Sequence, residues 1–203
     1  MKKYRDHYFQ KAKQENYPAR SVYKLEEIDA KFSLFRPGHK ILDLGASPGS
    51  WTLYAASRAG LSGLVVSIDL KPAGTALPAN VRWFVDDVFN PGRELKKTLL
   101  EGRPFDLALS DMAPATTGII FTDQARSMDL ACQALRLAAS CLIAGGAFVV
   151  KIFMGPNLPE LLREMRPLFV SVKGFKPKSS RSESKEFFYV GLGFKGTEED
   201  KFL

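Results

Sequence analysis

From residue 21 to 35 the apolar residues Val22, Leu25, Ile28 and Phe32 recur at helical spacing, and Pro37-Gly38 cannot continue the helix they predict. The period then changes. Residues 39–44 form a short apolar run, Gly45-Ala46-Ser47-Pro48-Gly49-Ser50 interrupts it, and residues 51–59 return to helical spacing before Gly60. Two β-branched runs follow, 64–68 and 81–85, ending at Asp69 and at Asp86-Asp87. A helix is predicted over 92–100 and a strand over 105–109, ending at Ser110-Asp111. After a loop rich in Pro, Thr and Gly, a long helix is expected from about 122 to 143, with Gly145-Gly146 stopping it. Residues 147–152 read as a fifth strand and 158–168 as a helix, and 169–175 and 187–194 as two strands joined by a basic loop.

Strands alternating with helices at this spacing predict an α/β architecture, an open and mostly parallel sheet covered on both faces. Only residues 176–186 separate the last two strands, too few for a crossover, so these should be antiparallel neighbours. A seven-stranded sheet with one reversed strand near its edge follows. A chain of 203 residues, 45% hydrophobic and 25% charged, can bury a core without disulfides or a structural metal. One domain over 1–203 is expected, with a basic N-terminal segment over 1–20, and a monomer. The apolar stretch 138–150 is broken by Ser140 and the glycine pair, well short of a membrane span. Residues 1–20 are polar and charged with no apolar leader stretch, so a soluble cytoplasmic protein is expected. Cys132 and Cys141 lie too far apart along one helix to be bridged and are expected as buried thiols. His7 and His39 are the only histidines, and nothing has zinc-ligand spacing, so no metal is expected.

The formal charge of +7 is unevenly spread. Residues 1–40 carry a net +5 and residues 171–195 a net +4, whereas residues 41–170 hold twelve charges of each sign. Surface lysines can serve solubility alone. Two basic segments around a neutral core can instead meet in space and hold a polyanion.

In open α/β sheets ligands sit beyond the carboxyl ends of the strands. The residues there are unusually polar. Gly45 and Gly49 allow the backbone to approach a ligand closely, and Asp69 stands where an acid accepts hydrogen bonds from ribose hydroxyls. With Asp87 after the third strand, this implies a nucleoside-containing cofactor. The loop lacks G-x-G-x-x-G and has no G-K-[ST], which disfavours NAD and ATP. Lys151 ends an apolar run, placing an ammonium at the edge of a buried strand where it needs partners, and Asp111 is the expected neighbour.

These motifs resemble the S-adenosylmethionine-binding, Rossmann-like methyltransferases. More narrowly, Ser110-Asp111-Met112-Ala113-Pro114, Val149-Val150-Lys151-Ile152-Phe153 and Lys176-Pro177-x-Ser179-Ser180-Arg181-x-x-Ser184-x-Glu186 resemble the FtsJ/RrmJ family of ribose 2′-O-methyltransferases. The likeness runs through nearly the whole chain. It implies a catalytic Lys-Asp-Lys-Glu set at Lys24, Asp111, Lys151 and Glu186, and S-adenosylmethionine contacts at Gly49, Trp51, Asp69, Asp87 and Asp111. Ser50 stands where many members have a second glycine. On this resemblance Lys151, when neutral, takes the 2′-hydroxyl proton as the oxygen attacks the methyl in line. Asp111 orients Lys151, Glu186 holds the hydroxyl or a lysine, and Lys24 positions the ribose.

The implied substrate is a uridine in the A-loop of large-subunit ribosomal RNA, presented within the large ribosomal subunit. A tRNA anticodon loop and a catalytically silent RNA-binding assembly factor are the alternatives. The basic segments then have a use, with Lys2, Lys3, Arg5, Lys11, Lys13, Arg20, Lys176, Lys178, Arg181 and Lys185 available to phosphates. Tyr4, Tyr8, Phe9 and Tyr17 are either base-stacking or core residues.

Overall fold

The computed structural model describes residues 7–155, 158–181 and 184–196. In chain order the elements are α1 (His7–Gln14), α2 (Val22–Phe32), β1 (Lys40–Leu44), α3 (Ser50–Ala59), β2 (Leu64–Asp69), β3 (Val81–Val85) and α4 (Arg93–Gly102). These are followed by β4 (Phe105–Ser110), α5 (Ile120–Cys141), β5 (Leu142–Phe153), α6 (Leu158–Leu168), β6 (Phe169–Phe175) and β7 (Glu186–Phe194). The strands form one seven-stranded sheet in the order β3-β2-β1-β4-β5-β7-β6. All neighbours are parallel except β7, which runs antiparallel to both β5 and β6. The expected architecture and the reversed strand are both present.

Alternation along each central strand sorts its side chains between two cores. Ile41, Val65, Leu107, Leu109 and Val149 pack against Leu25 and Ile28 of α2 and Trp51 and Ala55 of α3. Leu42, Leu44, Ala108, Phe148 and Val150 face the other way, onto α5 and α6. Asp43 shares the face of Ile41, and Lys151 that of Val149, so both polar groups point to the α2/α3 side. Chain order reverses between β1 and β4, and the carboxyl ends of those strands diverge there into a crevice.

Asp29 fastens α2 to that layer. Its carboxylate is 4% exposed and accepts from Leu34 N (2.9 Å), Phe35 N (3.3 Å) and Tyr54 OH (2.8 Å), with Arg58 Nε at 3.2 Å. Four donors compensate the burial of one charge.

Two boundaries differ from expectation. The long helix ends at Cys141, before the glycines, and β5 already begins at Leu142. Gly145, at φ +85°, instead lies where the β4–β5 register shifts, inside the strand. Residues 7–14, read only as part of a basic segment, form α1. Cys132 and Cys141 are buried and unbridged. Among the described residues no helix is long and apolar enough to cross a membrane.

Candidate active site

The β1–α3 turn begins with Gly45 at φ +74°, where a Cβ would fall 2.8 Å from Met112 N, so only glycine lets the two loops meet. Gly45 N donates to Ile68 O (2.9 Å) and Asp111 N to Leu44 O (3.1 Å), which ties the loops after β1 and β4 to neighbouring strand ends. Asp69 closes the turn from the far side, its carboxylate accepting from Ser47 N (2.9 Å) and Lys71 N (2.8 Å). Asp87 accepts from Phe89 N at 2.9 Å, and Asp86 beside it accepts from Asp87 N and Gly92 N. These bonds leave further lone pairs on every carboxylate.

The loops enclose a cleft of about 830 Å³ lined by Gly45, Asp69, Asp87, Asp111 and Lys151, among others. Its ionisable lining is Asp69, Asp86, Asp87 and Asp111 against Lys71 and Lys151. Such a surface repels nucleotide phosphates and suits a cationic ligand bearing hydroxyls. S-adenosylmethionine, with a sulfonium, an ammonium and a ribose diol, matches that donor and acceptor set. The volume lies within the usual range for ligands of this size.

Gly49 and Trp51 are outside this lining. Gly49 adopts φ +112° at the start of α3 and serves the turn, its N–H donating to Ala46 O at 2.7 Å. Trp51 is 2% exposed, its ring lies 5.9 Å from that of Phe188, and Nε1 donates to Ser21 O at 2.9 Å. Its ring is a core contact that pins the start of α2 to α3.

The four expected catalytic residues form two ion pairs. Lys151 Nζ, on a 6% exposed side chain, contacts Asp111 O at 2.5 Å and Asp111 Oδ1 at 2.9 Å. The latter is an ion-pair contact outside hydrogen-bond alignment, so Oδ1 keeps its acceptor capacity. Lys24 Nζ donates to Glu186 Oε2 at 2.5 Å. The β5–β7 register sets Phe153 opposite Glu186 and Lys151 opposite Phe188, which puts Lys151 and Glu186 on one face, two positions apart. Burial pushes the Glu186 carboxyl up, but Lys24, Lys151 and Ser184 Oγ (3.0 Å) outweigh it and hold its pKa below the ordinary carboxylate value.

Asp43, in β1 within reach of the Asp111 and Asp69 charges, is fully buried. Burial, together with the charges of Asp111 and Asp69, pushes its pKa up to about 7, against the bond from Thr52 Oγ1 (2.6 Å). Thr52 Oγ1 also meets Ser67 Oγ at 2.9 Å. The sequence marks Asp43 only as a polar residue at the end of the first strand and gives neither it nor Thr52 a role, although a carboxylate within the apolar run of β1 was a visible signal.

The two basic segments meet at the site. Arg20 donates to Ser179 O, and Glu27, one helical turn past Lys24, accepts from Lys178 N (2.6 Å) and Ser179 N (2.8 Å). A second cleft, about 400 Å³, opens there between Arg20, Lys24, Arg181 and Glu186. Lys2, Lys3, Tyr4 and Arg5 lie outside the described residues. Tyr8 and Tyr17 pack on Ala12, Val22 and Tyr23 as core, whereas Phe9 is exposed. Lys11 lies 4.3 Å over the Tyr23 ring and 3.7 Å from Glu15. Among the described residues no group of His, Cys, Asp or Glu is arranged to hold a metal ion.

Comparison with known proteins agrees with this chemistry. The chain is 60% identical over 198 residues to the ribosomal RNA large subunit methyltransferase E of Nitratidesulfovibrio vulgaris (strain DP4), covering 98% of this chain and 97% of the relative. The protein of the same name from Oleidesulfovibrio alaskensis is 58% identical, covering 98% and 96%. A Plasmodium falciparum crystal structure described as a ribosomal RNA methyltransferase superposes with a TM-score of 0.75 at 25% identity, covering 89% of this chain and all of that one. A Thermotoga maritima SAM-dependent O-methyltransferase shares the fold, with a TM-score of 0.57 at 15% identity over 90% and 67% of the two chains. The model of the FtsJ-like methyltransferases matches residues 17–194, the span from just before α2 to the end of β7 that contains both ion pairs and both clefts, and the chain belongs to that family.

Proposed function

We propose that this methyltransferase moves a methyl group from S-adenosylmethionine to the ribose 2′-hydroxyl of a uridine in the A-loop of large-subunit ribosomal RNA. The observation that carries the proposal is the pairing of Lys151 with Asp111 and of Lys24 with Glu186 where an acidic cleft meets a cationic one. S-adenosylmethionine, when bound, supplies an activated methyl on its sulfonium. The chain must then align a weak nucleophile and accept its proton. Lys151, whose Nζ is anchored by the Asp111 carbonyl and paired with its Oδ1, is the proposed base, and in its neutral form it takes the 2′-hydroxyl proton. Glu186 stays ionised, so it accepts a hydrogen bond from the ribose or steadies Lys24 against it. Asp69 and Asp87 offer acceptors to the cofactor's hydroxyl and amino groups. Arg20 and Arg181 take the flanking phosphates.

The names carried by the close relatives support large-subunit ribosomal RNA as substrate. Equal amounts of large subunits lacking the modification, free ribosomal RNA and unmodified tRNA, incubated with labelled cofactor, test it. Subunits should be labelled fastest, at one A-loop ribose. Label on tRNA alone would sink the ribosomal assignment while keeping the chemistry, and no label on any RNA would favour a silent assembly factor.

A further inference from the structure

Glu186 and Ser184 are walls of two clefts, one on each side. On the Lys24 side the lining is cationic, with Arg20 and Arg181. On the other side a cleft of about 310 Å³ is lined by Ile120 and Phe153 and by the polar Asp123, Gln124 and Lys185, the Asp123 carboxylate being occupied by Thr117 and Gly118. Next to it the start of α5 presents Ile119, Ile120 and Phe121 at 61%, 51% and 75% exposure. Three consecutive large apolar side chains turned to water form a patch that folding alone does not explain. The helix needs none of them for its core, which begins at Ser127 and Met128.

We propose that this cleft receives the base of the nucleotide being methylated, with its ring against Ile120 and Phe153 and Phe121 at the lip. The proposal rests on the function argued above. A nucleotide is an anion at one end and a flat apolar ring at the other, with the ribose between. The chain presents the matching order across Glu186: arginines, then the lysine–carboxylate pairs, then a cleft with two apolar walls, Ile120 and Phe153, and a polar rim. A ligand with its sugar at Lys151 and Glu186 and its phosphate beside Arg20 and Arg181 has this cleft for its base. An unpaired base can be taken there, since ring contact with apolar and aromatic side chains tolerates loss of stacking in the RNA. Gln124 supplies a polar edge. Its amide NH₂ donates to Met154 O, which orients the side chain and leaves Oε1 able to accept from a ring N–H. Lys185 can donate to a ring carbonyl from the opposite side. An acceptor and a donor so placed suit the N3–H and carbonyls of uracil.

The test uses the intact enzyme, unmodified large ribosomal subunits and the exposed double variant Ile120→Ala/Phe121→Ala. Methyl transfer is measured alongside carbodiimide modification of uridine N3 at the target in the stalled complex. The wild type should protect that base. The variant should leave it reactive and lose about tenfold or more in kcat/KM for subunits, as expected for one lost base contact, with S-adenosylmethionine affinity within about twofold. Phe121→Trp, which keeps a ring, should retain activity. Transfer by the wild type with the target base still reactive, or equal transfer by the double variant, would overturn the base site while leaving the proposed function standing. A variant that loses transfer yet still protects the base would also overturn it, because the patch would then be touching something else, such as a ribosomal protein. A wild type that labels no subunits removes the ribosomal reading and this inference with it.

Discussion

Lys151 is the residue on which the proposed chemistry turns. Its stem runs in the β5 core and its ammonium is met by two oxygens of a single residue, Asp111, so its position is set by the backbone at the end of β4 as much as by charge. This arrangement limits the directions in which Nζ can meet a substrate proton, which suits a base whose contribution depends on alignment. Lys151→Met keeps the aliphatic volume and removes the amine. Single-turnover transfer should fall about a hundredfold or more, the usual size of a general-base contribution, while S-adenosylmethionine binding persists. Activity within about threefold of wild type would take Lys151 out of that role. Most of this site was legible in the sequence because a lysine ending an apolar run and an aspartate ending a strand are conspicuous breaks of pattern. The packing of Trp51 was hidden for the converse reason: a tryptophan after a glycine loop looks the same in sequence whether its ring faces a ligand or Phe188.

At the scale of elements, the period of the apolar residues placed the strands and most helices to within a few residues. The exceptions have local causes. A glycine pair stops a helix as readily as it marks a bulge, and at Gly145-Gly146 the pull of β4 pairing extended β5 back to Leu142. For α1 the buried residue is Ala12 alone, too little apolar periodicity to stand out among lysines. What no pattern of spacing could show is how α2 is joined to the loop between β6 and β7, 151 residues later. Glu27 makes that joint by accepting from two consecutive amides, and it lies on the same helix as Lys24, whose partner Glu186 follows the same loop. Glu27→Ala should therefore leave a folded protein with near-normal cofactor affinity but lower kcat about tenfold to a hundredfold, the penalty typical of displaced reacting groups. Glu27→Gln, with one acceptor oxygen left, should fall between. A KM effect with unchanged kcat would mean that the joint serves RNA capture and leaves the catalytic alignment alone.

Over the whole molecule, charge is separated: a cleft whose ionisable lining is mainly aspartate, the proposed methyl-donor site, opens on one side of the two ion pairs, and Arg20, Lys24 and Arg181 gather on the other. The acidic cleft would repel a phosphate chain that strayed toward it, so on the proposed function the RNA backbone approaches over Arg20, Lys24, Arg181 and the neighbouring Lys176 and Lys178. Binding through phosphates releases condensed counterions, and the logarithm of affinity then falls with the logarithm of salt in proportion to the number of phosphates neutralised. Lys176→Gln, Lys178→Gln and Arg181→Gln together should flatten that dependence by about two to three, at roughly 0.7 to 0.9 per contact. A matched triple change on the far helix, Arg93→Gln, Lys96→Gln and Lys97→Gln, alters net charge equally on three exposed residues of α4. If the cationic cleft is the RNA path, only the first set changes the slope, measured by titrating RNA binding across a salt series. Equal flattening by both sets would mean that RNA responds to the overall charge alone, and a change confined to the α4 set would move the RNA path to the opposite end of the sheet.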